Sequence, residues 1–503
     1  MALIQVNNLT FAYDGSYDLI FEDASFQLDT DWKLGFVGRN GRGKTTFLKL
    51  LLGELEYSGT ISADAGFDYF PYPIPHPEYL TIDVALDRVP EAQQWQLERE
   101  LSLLQVADDV LYRPFETLSS GEQTKVMLAA LFLQEHRFLL IDEPTNHLDL
   151  HARRLVSDYL RSKRGFILVS HDRAFLDNCV DHVLSINRAS IDVQRGNFSS
   201  WWDNKQRQDQ YELTENERLR KDVKRLSEAA KRTNQWSHEV EKTKNGTRNS
   251  GIKVDKGYVG HKAAKMMKRS KSIERRQQTA LEEKSSLLKN LETADSLKLT
   301  QLVYHKPQLL ELLDVSIRYG DRVVCEDIRF DIQQGDRIAL TGPNGSGKSS
   351  LLKLLLGEPI NHSGTVNIGS RLRISYVPQD TSHLAGDLTD YARSLGIDES
   401  LFKAILRKLD FARVQFEKDM RQLSAGQKKK VLIAGSLCEQ AHLHLWDEPL
   451  NYIDVISRMQ IEELLLEHQP TLLFVEHDAT FCEHIATRTV SLGSVARADG
   501  ASG

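Results

Sequence analysis

The sequence predicts an α/β fold class: two repeats of one parallel-sheet module, joined by a long α-helical hairpin linker. Three observations carry this. A glycine-rich loop that opens a helix occurs twice, as GRNGRGKT from Gly38 to Thr45 and as GPNGSGKS from Gly342 to Ser349. Each is followed in the same order by L-S-x-G-[EQ] (Leu118, Leu423), an apolar run ending in Asp-Glu-Pro (Ile141, Trp446) and a His-Asp pair (Ser170, Glu476). Lys44 and Lys348 stand about 304 residues apart, Asp142 and Asp447 about 305, and His171 and His477 about 306, so the copies run in register. The stretch between the copies is charged, sparse in apolar residues and broken once by glycines.

The composition fits a soluble globular chain. It has 503 residues, 41% hydrophobic and 27% charged, enough for two or three domains. The opening MALIQVNN has no basic flank and no apolar stretch of signal length. No apolar run approaches the roughly 18 residues of a membrane span. Cys179, Cys325, Cys438 and Cys482 lie far apart with no C-x-x-C spacing, so they read as reduced packing residues of a cytoplasmic protein.

Residues 1–200 form the first module. VNNLTFAY and FEDASFQL alternate as antiparallel strands do. DWKLGFVG is a strand entering the glycine loop, and TTFLKLLLGEL starts a helix there. FLLIDEP and GFILVSHD are short apolar strands that stop at charged residues, the pattern of a buried parallel sheet with chemistry at its carboxyl edge. Residues 305–493 repeat this with LELLDVSIRY, DRIALTG, SLLKLLLGE, LHLWDEP and TLLFVEHD. Residues 494–503 read as a disordered tail.

Residues 201–304 form the linker. Trp201 to Trp236 and His261 to Glu292 have helical composition, and Lys244 to Gly260 holds four glycines. This predicts an αα-hairpin with its tip near 244–260, each helix roughly 45 to 60 Å long. From Arg218 to Arg276 there are 19 Lys and Arg against 6 Asp and Glu, within a chain of net charge −7. A basic rod with a glycine-rich tip suits a phosphate backbone. Trp236, His238, Tyr258 and His261 flank or occupy the tip and could stack on bases or sugars.

The repeated motifs are the parts of a nucleotide site. Backbone N–H groups of the loop converge on phosphates, and Gly38, Asn40, Gly41 and Gly43, with Gly342, Asn344, Gly345 and Gly347, form that cradle. Lys44 and Lys348 reach the β and γ phosphates of ATP. Thr45 and Ser349 supply the hydroxyl for Mg²⁺, Asp142 and Asp447 hold its other side, and Thr46 and Ser350 follow on the helix. Glu143 and Glu448 are placed to orient and deprotonate the attacking water.

Both modules, taken together, resemble the ATP-binding-cassette family, so the expected architecture is two ATP-binding-cassette (P-loop NTPase) domains. The resemblance implies an intramolecular sandwich in a monomer: Ser424 and Gly426 complete the site of Lys44, and Ser119 and Gly121 the site of Lys348. It implies that His171 and His477 contact the γ phosphate and that Asp149 and Asp454 couple the sites. Tyr13 and Tyr319 match the aromatic that stacks on adenine; an ordinary strand tyrosine is the alternative. Gln379 matches the glutamine that contacts water and metal. The first module has Tyr72 there, and Arg42 stands where the second has Ser346, so the two sites are expected to be unequal.

Two cassettes with a basic helical linker are similar to the ABC-F family. LSSGEQTKV, LFLQEHRFLLIDEPTNHLD, GQKKKVLIA and LHLWDEPLNYIDVISRMQIEELL are closest to its antibiotic-resistance type, acting against lincosamides, streptogramin A and pleuromutilins. The resemblance implies entry into the E site of the 70S ribosome, with the linker directed along the P-site tRNA toward 23S rRNA at the peptidyl-transferase centre. Trp236, Lys242, Lys244, Arg248, Lys253, Tyr258, His261 and Lys262 are the expected RNA contacts, Tyr258 the deepest. No membrane or DNA partner is expected. A housekeeping ABC-F translation factor and a soluble transporter ATPase stay open as alternatives.

Overall fold

The computed structural model describes residues 3–13, 19–134, 136–146, 148–186, 191–243, 268, 275, 299, 301–320, 322–343 and 345–493. The first module begins with β1 (Leu3–Phe11), β2 (Phe21–Asp29) and β3 (Lys33–Val37), then β4 (Ser58–Ala63) and β5 (Gly66–Phe70). It continues with β6 (Arg137–Asp142), β7 (Phe166–Val169), β8 (His182–Ile186) and β9 (Ile191–Arg195). β1 alternates buried and exposed residues and pairs antiparallel with β2 and β4. The main sheet has the order β5-β6-β7-β3-β8-β9, parallel except for β9.

The second module contains β10 (Gln308–Tyr319), β11 (Arg322–Gln333), β12 (Arg337–Thr341), β13 (His362–Ile368) and β14 (Ile374–Val377), followed by β15 (Leu443–Asp447), β16 (Leu472–Val475) and β17 (Arg488–Ser491). β10 pairs antiparallel with β11 and β13, and β14-β15-β16-β12-β17 is a parallel sheet. Strands covered on both faces must be apolar throughout, and β7 (FILV) and β16 (LLFV) are buried at every residue.

This strand order positions the chemistry. β3, which leads into the first glycine loop, lies beside β7, which runs into Ser170–His171; β7 in turn lies beside β6, which ends at Asp142. Asp142 pairs with Val169, and Asp447 with Val475, so both acidic strand ends sit level with the His-bearing loops. Three strand ends thus converge in each module, at the edge where parallel sheets place their ligands.

A single helix runs from Phe198 to Thr243, 46 residues and roughly 70 Å at 1.5 Å per residue. It starts before the expected Trp201 and continues past Trp236. The tip, including Lys244, Arg248, Lys253, Tyr258, His261 and Lys262, lies outside the described residues, as do most of the second expected helix, Asn344 and the tail. Trp236 and Lys242 fall on the helix, but their side chains lie outside the described residues. By compactness the chain divides into Met1–Trp201 with Ser296–Gly503, which holds both modules, and Trp202–Asp295. Among the described residues, no helix is long and apolar enough to cross a membrane.

Candidate nucleotide sites

Each glycine loop ends in a left-handed glycine that starts a helix. Gly43 has φ 94° and Gly347 φ 88°, and neither helix start has a side-chain cap. A Cβ at Gly43 would lie 2.4 Å from Ile20 Cγ2, so space as well as φ requires glycine. The uncapped N–H groups at such a helix start are an anion site. Lys44 Nζ donates to the carbonyls of Gly38 (2.7 Å) and Arg39 (3.3 Å), and Lys348 Nζ to those of Gly342 and Pro343 (both 2.8 Å). Burial lowers the pKa of both lysines, against the pull of nearby carboxylates.

The acidic strand ends face these lysines. Thr45 Oγ1 donates to Asp142 Oδ2 (3.1 Å), and Tyr69 donates to the same oxygen (3.0 Å). Ser349 stands beside Asp447, whose Oδ1 is buried with no hydrogen-bond partner. Burial raises both aspartates. A hydroxyl, a carboxylate and a spare buried oxygen form a hard-oxygen set that fits Mg²⁺, which binds through one or two carboxylates with phosphate and water completing its shell. Among the described residues no cluster of three His, Cys, Asp or Glu could hold a metal by itself.

The neighbouring glutamates differ. Both are left-handed, Glu143 at φ 52° and Glu448 at φ 46°. Burial, reinforced by Asp142, pushes Glu143 up to about 8. His171 Nε2 lies 3.1 Å from Glu143 Oε1, off the hydrogen-bond direction, and burial holds His171 well below its ordinary range. Burial also opposes ionisation of Glu448, but the nearby His477 and the hydrogen bonds from Asn451 and Gln379 more than offset it, and its pKa falls. Gln379 Nε2 and Asn451 Nδ2 donate to Glu448 Oε2 at 2.7 and 2.6 Å, with His477 Nε2 at 3.7 Å from Oε1.

Two cavities cross the module boundary. One of about 500 Å³ joins Tyr13, Asn40, Gly41, Gly43, Lys44, Thr45, Thr46, Asp142, Glu143 and His171 to Ser424 and Gly426 of the other module. The second, about 1080 Å³, joins Gly345, Gly347, Lys348, Ser349, Ser350, Gln379, Glu448 and His477 to Ser119, Gly121 and Asp149. Gly38 and Gly342 stand beneath their loops and accept from the lysines. Ser119 and Ser424 cap the helices Ser120–Leu131 and Ala425–Cys438 through reciprocal bonds with Glu122 and Gln427. Tyr13 and Tyr319 are about half exposed; their hydroxyls meet Thr46 Oγ1 (2.9 Å) and Ser350 Oγ (3.2 Å). Asp149 caps the helix Leu150–Ser162; Asp454, fully buried, caps Val455–His468 and takes Lys430 Nζ at 3.3 Å.

Several contributors were not singled out from sequence. Tyr69, rather than Tyr72, touches Asp142, whereas Tyr72 lies under Arg88. Tyr452 offers its carbonyl to Asn40 Nδ2 across the boundary (2.7 Å). Asn146 and Asn451 line the two cavities, one each. The repeated P-x-N after each Asp-Glu was the available signal for these asparagines.

A family profile described as ABC transporter matches residues 21–146 and 325–451, together just over half of the chain. The chain is 29% identical over 500 residues to ATP-binding protein Uup of Caulobacter vibrioides, covering 95% of this chain and 75% of that protein. It is 28% identical to ribosome protection protein VmlR of Bacillus subtilis (94% and 84% covered) and 25% identical to energy-dependent translational throttle protein EttA of Escherichia coli K12 (93% and 88%). Among solved structures, the archaeal ribosome recycling factor aABCE1, in complex with stalk protein aP1, superposes with TM-score 0.62 at 19% identity, covering 96% of this chain and 87% of that one, which speaks to fold alone.

Proposed function

The chain belongs to the ABC transporter family and is an ATPase, and from that premise we propose that it acts on ribosomes, as an ABC-F protein of the antibiotic-resistance type. Residues 1–200 and 305–493 are the two cassettes, and residues 201–304 the arm that reaches RNA. The observation that carries the ribosomal reading is the arm's charge, 19 basic against 6 acidic residues from Arg218 to Arg276. Counterion release at RNA phosphates turns such a surplus into affinity. The likeness to proteins named for ribosome protection and translational throttling supports it.

In this reading each nucleotide lies in one of the crossed cavities. The loop N–H groups and Lys44 or Lys348 hold its phosphates. Thr45 and Asp142, and Ser349 and Asp447, would hold Mg²⁺, which would supply positive charge against that of the phosphates. Ser119, Gly121, Ser424 and Gly426 close the opposite wall. Glu143 and Glu448 accept the proton of the attacking water, and His171 and His477 orient the γ phosphate. Closure around ATP fits the protein to the E site of a cytoplasmic 70S ribosome. The arm then extends along the P-site tRNA to 23S rRNA, and its tip, with Tyr258, displaces lincosamide, streptogramin A or pleuromutilin. A housekeeping ABC-F factor shares every catalytic group and differs only in what the tip does.

The Glu143→Gln, Glu448→Gln double variant should keep closure and lose hydrolysis. It is expected to pellet with ribosomes only when ATP is present, and deletion within 244–260 to abolish drug protection while leaving pelleting intact. A protein that stays in the supernatant at low salt with ATP sinks the ribosomal reading and favours a membrane-docked transporter ATPase. Made singly, the two substitutions should leave unequal residual rates, because Glu448 alone has Gln379 and Asn451 as donors.

A further inference from the structure

The signature helix of the second module, Ala425–Cys438, serves two sites. Its N-terminus lines the first cavity through Ser424 and Gly426. Little more than a turn along it, Lys429 is fully buried and reaches back to the second site. Its Nζ donates to the carbonyls of Pro378 (2.9 Å), Glu448 (3.0 Å) and Asp447 (3.4 Å). An ammonium has three donors and no acceptor, so these three oxygens use its full capacity.

Those carbonyls belong to the two turns that arm the second site. Pro378 precedes Gln379, and Asp447 precedes Glu448, whose left-handed backbone is one that residues other than glycine rarely adopt. Gln379 Nε2 in turn donates to the Glu448 carboxylate. The ammonium therefore fixes the base-bearing turn and the turn carrying its amide donor against one helix. The aligned residue of the first module is Thr124, whose hydroxyl, one bond from Cβ, cannot span what a lysine stem spans.

We propose that Lys429 is a positioning residue for hydrolysis at the second site, holding the Glu448 and Gln379 turns in register with the helix whose start closes the first site. This rests on Glu448 being the water-activating carboxylate there. A buried lysine that only balanced the nearby Glu476 would hold the second module together and favour neither site.

The test separates the sites. In a Glu143→Gln background, turnover reports the second site; in a Glu448→Gln background, the first. Lys429→Met is expected to lower second-site kcat tenfold or more with KM for ATP changed less than threefold, and to leave first-site turnover within threefold. Lys429→Arg, which keeps a cation and its donors, should recover most of the loss. If Lys429→Met does not fold, Lys429→Gln, with two N–H donors, should give an intermediate kcat at unchanged KM. Equal losses at both sites, or full second-site kcat in a folded Lys429→Met or Lys429→Gln variant, overturns the proposal. Full turnover in the Glu143→Gln, Glu448→Gln double variant would instead remove its premise, whatever Lys429 does.

Discussion

His444 shows how a buried polar group can be settled by counting donors. Ser436 Oγ accepts from Ser375 (2.8 Å) and from Trp446 Nε1 (3.0 Å), so its own O–H is left for His444 Nδ1 at 3.1 Å. The imidazole must therefore be neutral, with Nδ1 accepting. A proton there would set an N–H against an oxygen that already accepts twice. Burial alone pushes His444 down to about 4. The unfolded chain binds that proton more readily than the fold does, between about pH 4 and 6.5. Stability is then complete above that window and falls as pH drops through it. At pH 5 the loss is about 2 kcal/mol relative to pH 7.5. Denaturant midpoints at both pH values, compared with His444→Gln, should show the wild type losing more by roughly that amount. Parallel losses would mean that other groups dominate.

At the scale of elements, the two signature helices look alike in sequence but are packed differently. A Cβ at Gly426 would lie 2.2 Å from the Tyr452 carbonyl and 3.2 Å from Asn40 Nδ2, whereas one at Gly121 would meet only Leu148 Cδ2 at 3.5 Å. Gly426→Ala is thus expected to cut first-site turnover tenfold or more, and Gly121→Ala to change second-site turnover less than threefold, each read with the other site silenced by its Glu→Gln change. Equal effects would show that the glycines matter for some other reason than space. The same helices mark what the sequence could disclose. Glycine loops, buried strands and helix caps follow local rules, so Gly43, β7 and Ser424 were legible. Nothing in the run Lys428–Lys430 marks which lysine is buried, yet Lys429 and Lys430 are, because their acceptors lie some 20 to 50 residues away along the chain. Tyr69 was hidden likewise: its contact with Asp142 depends on β5 lying beside β6.

For the molecule as a whole, a twofold arrangement of modules is held by contacts that are not twofold. Arg173 and Glu462 form a buried ion pair across the boundary, and His484 joins Glu462 at 3.3 Å. The aligned positions are Ala479 and Ser157, and both line a cavity of about 290 Å³. Beside the first site, Arg39 Nη1 lies 2.7 Å from Asp410 Oδ2, and Arg42 Nη2 lies 3.8 Å from it. Pro343, Ser346 and Gln105 stand at the aligned positions near the second site and cannot form that triad. Closure of the first site therefore carries an ion-pair triad that the aligned residues near the second do not supply. The three side chains are 23 to 34% exposed, so solvent screens the triad and its worth is at most about 1 kcal/mol, roughly fivefold in the closing equilibrium. Fluorophores on the two modules of the Glu143→Gln, Glu448→Gln variant would report closure as ATP is titrated. Asp410→Asn should raise the ATP needed for half-closure two- to fivefold at low salt. Salt should raise it in the parent but much less in Asp410→Asn, since the screened contact is already gone. Identical salt dependence in the two proteins would place the ionic contribution elsewhere on the interface.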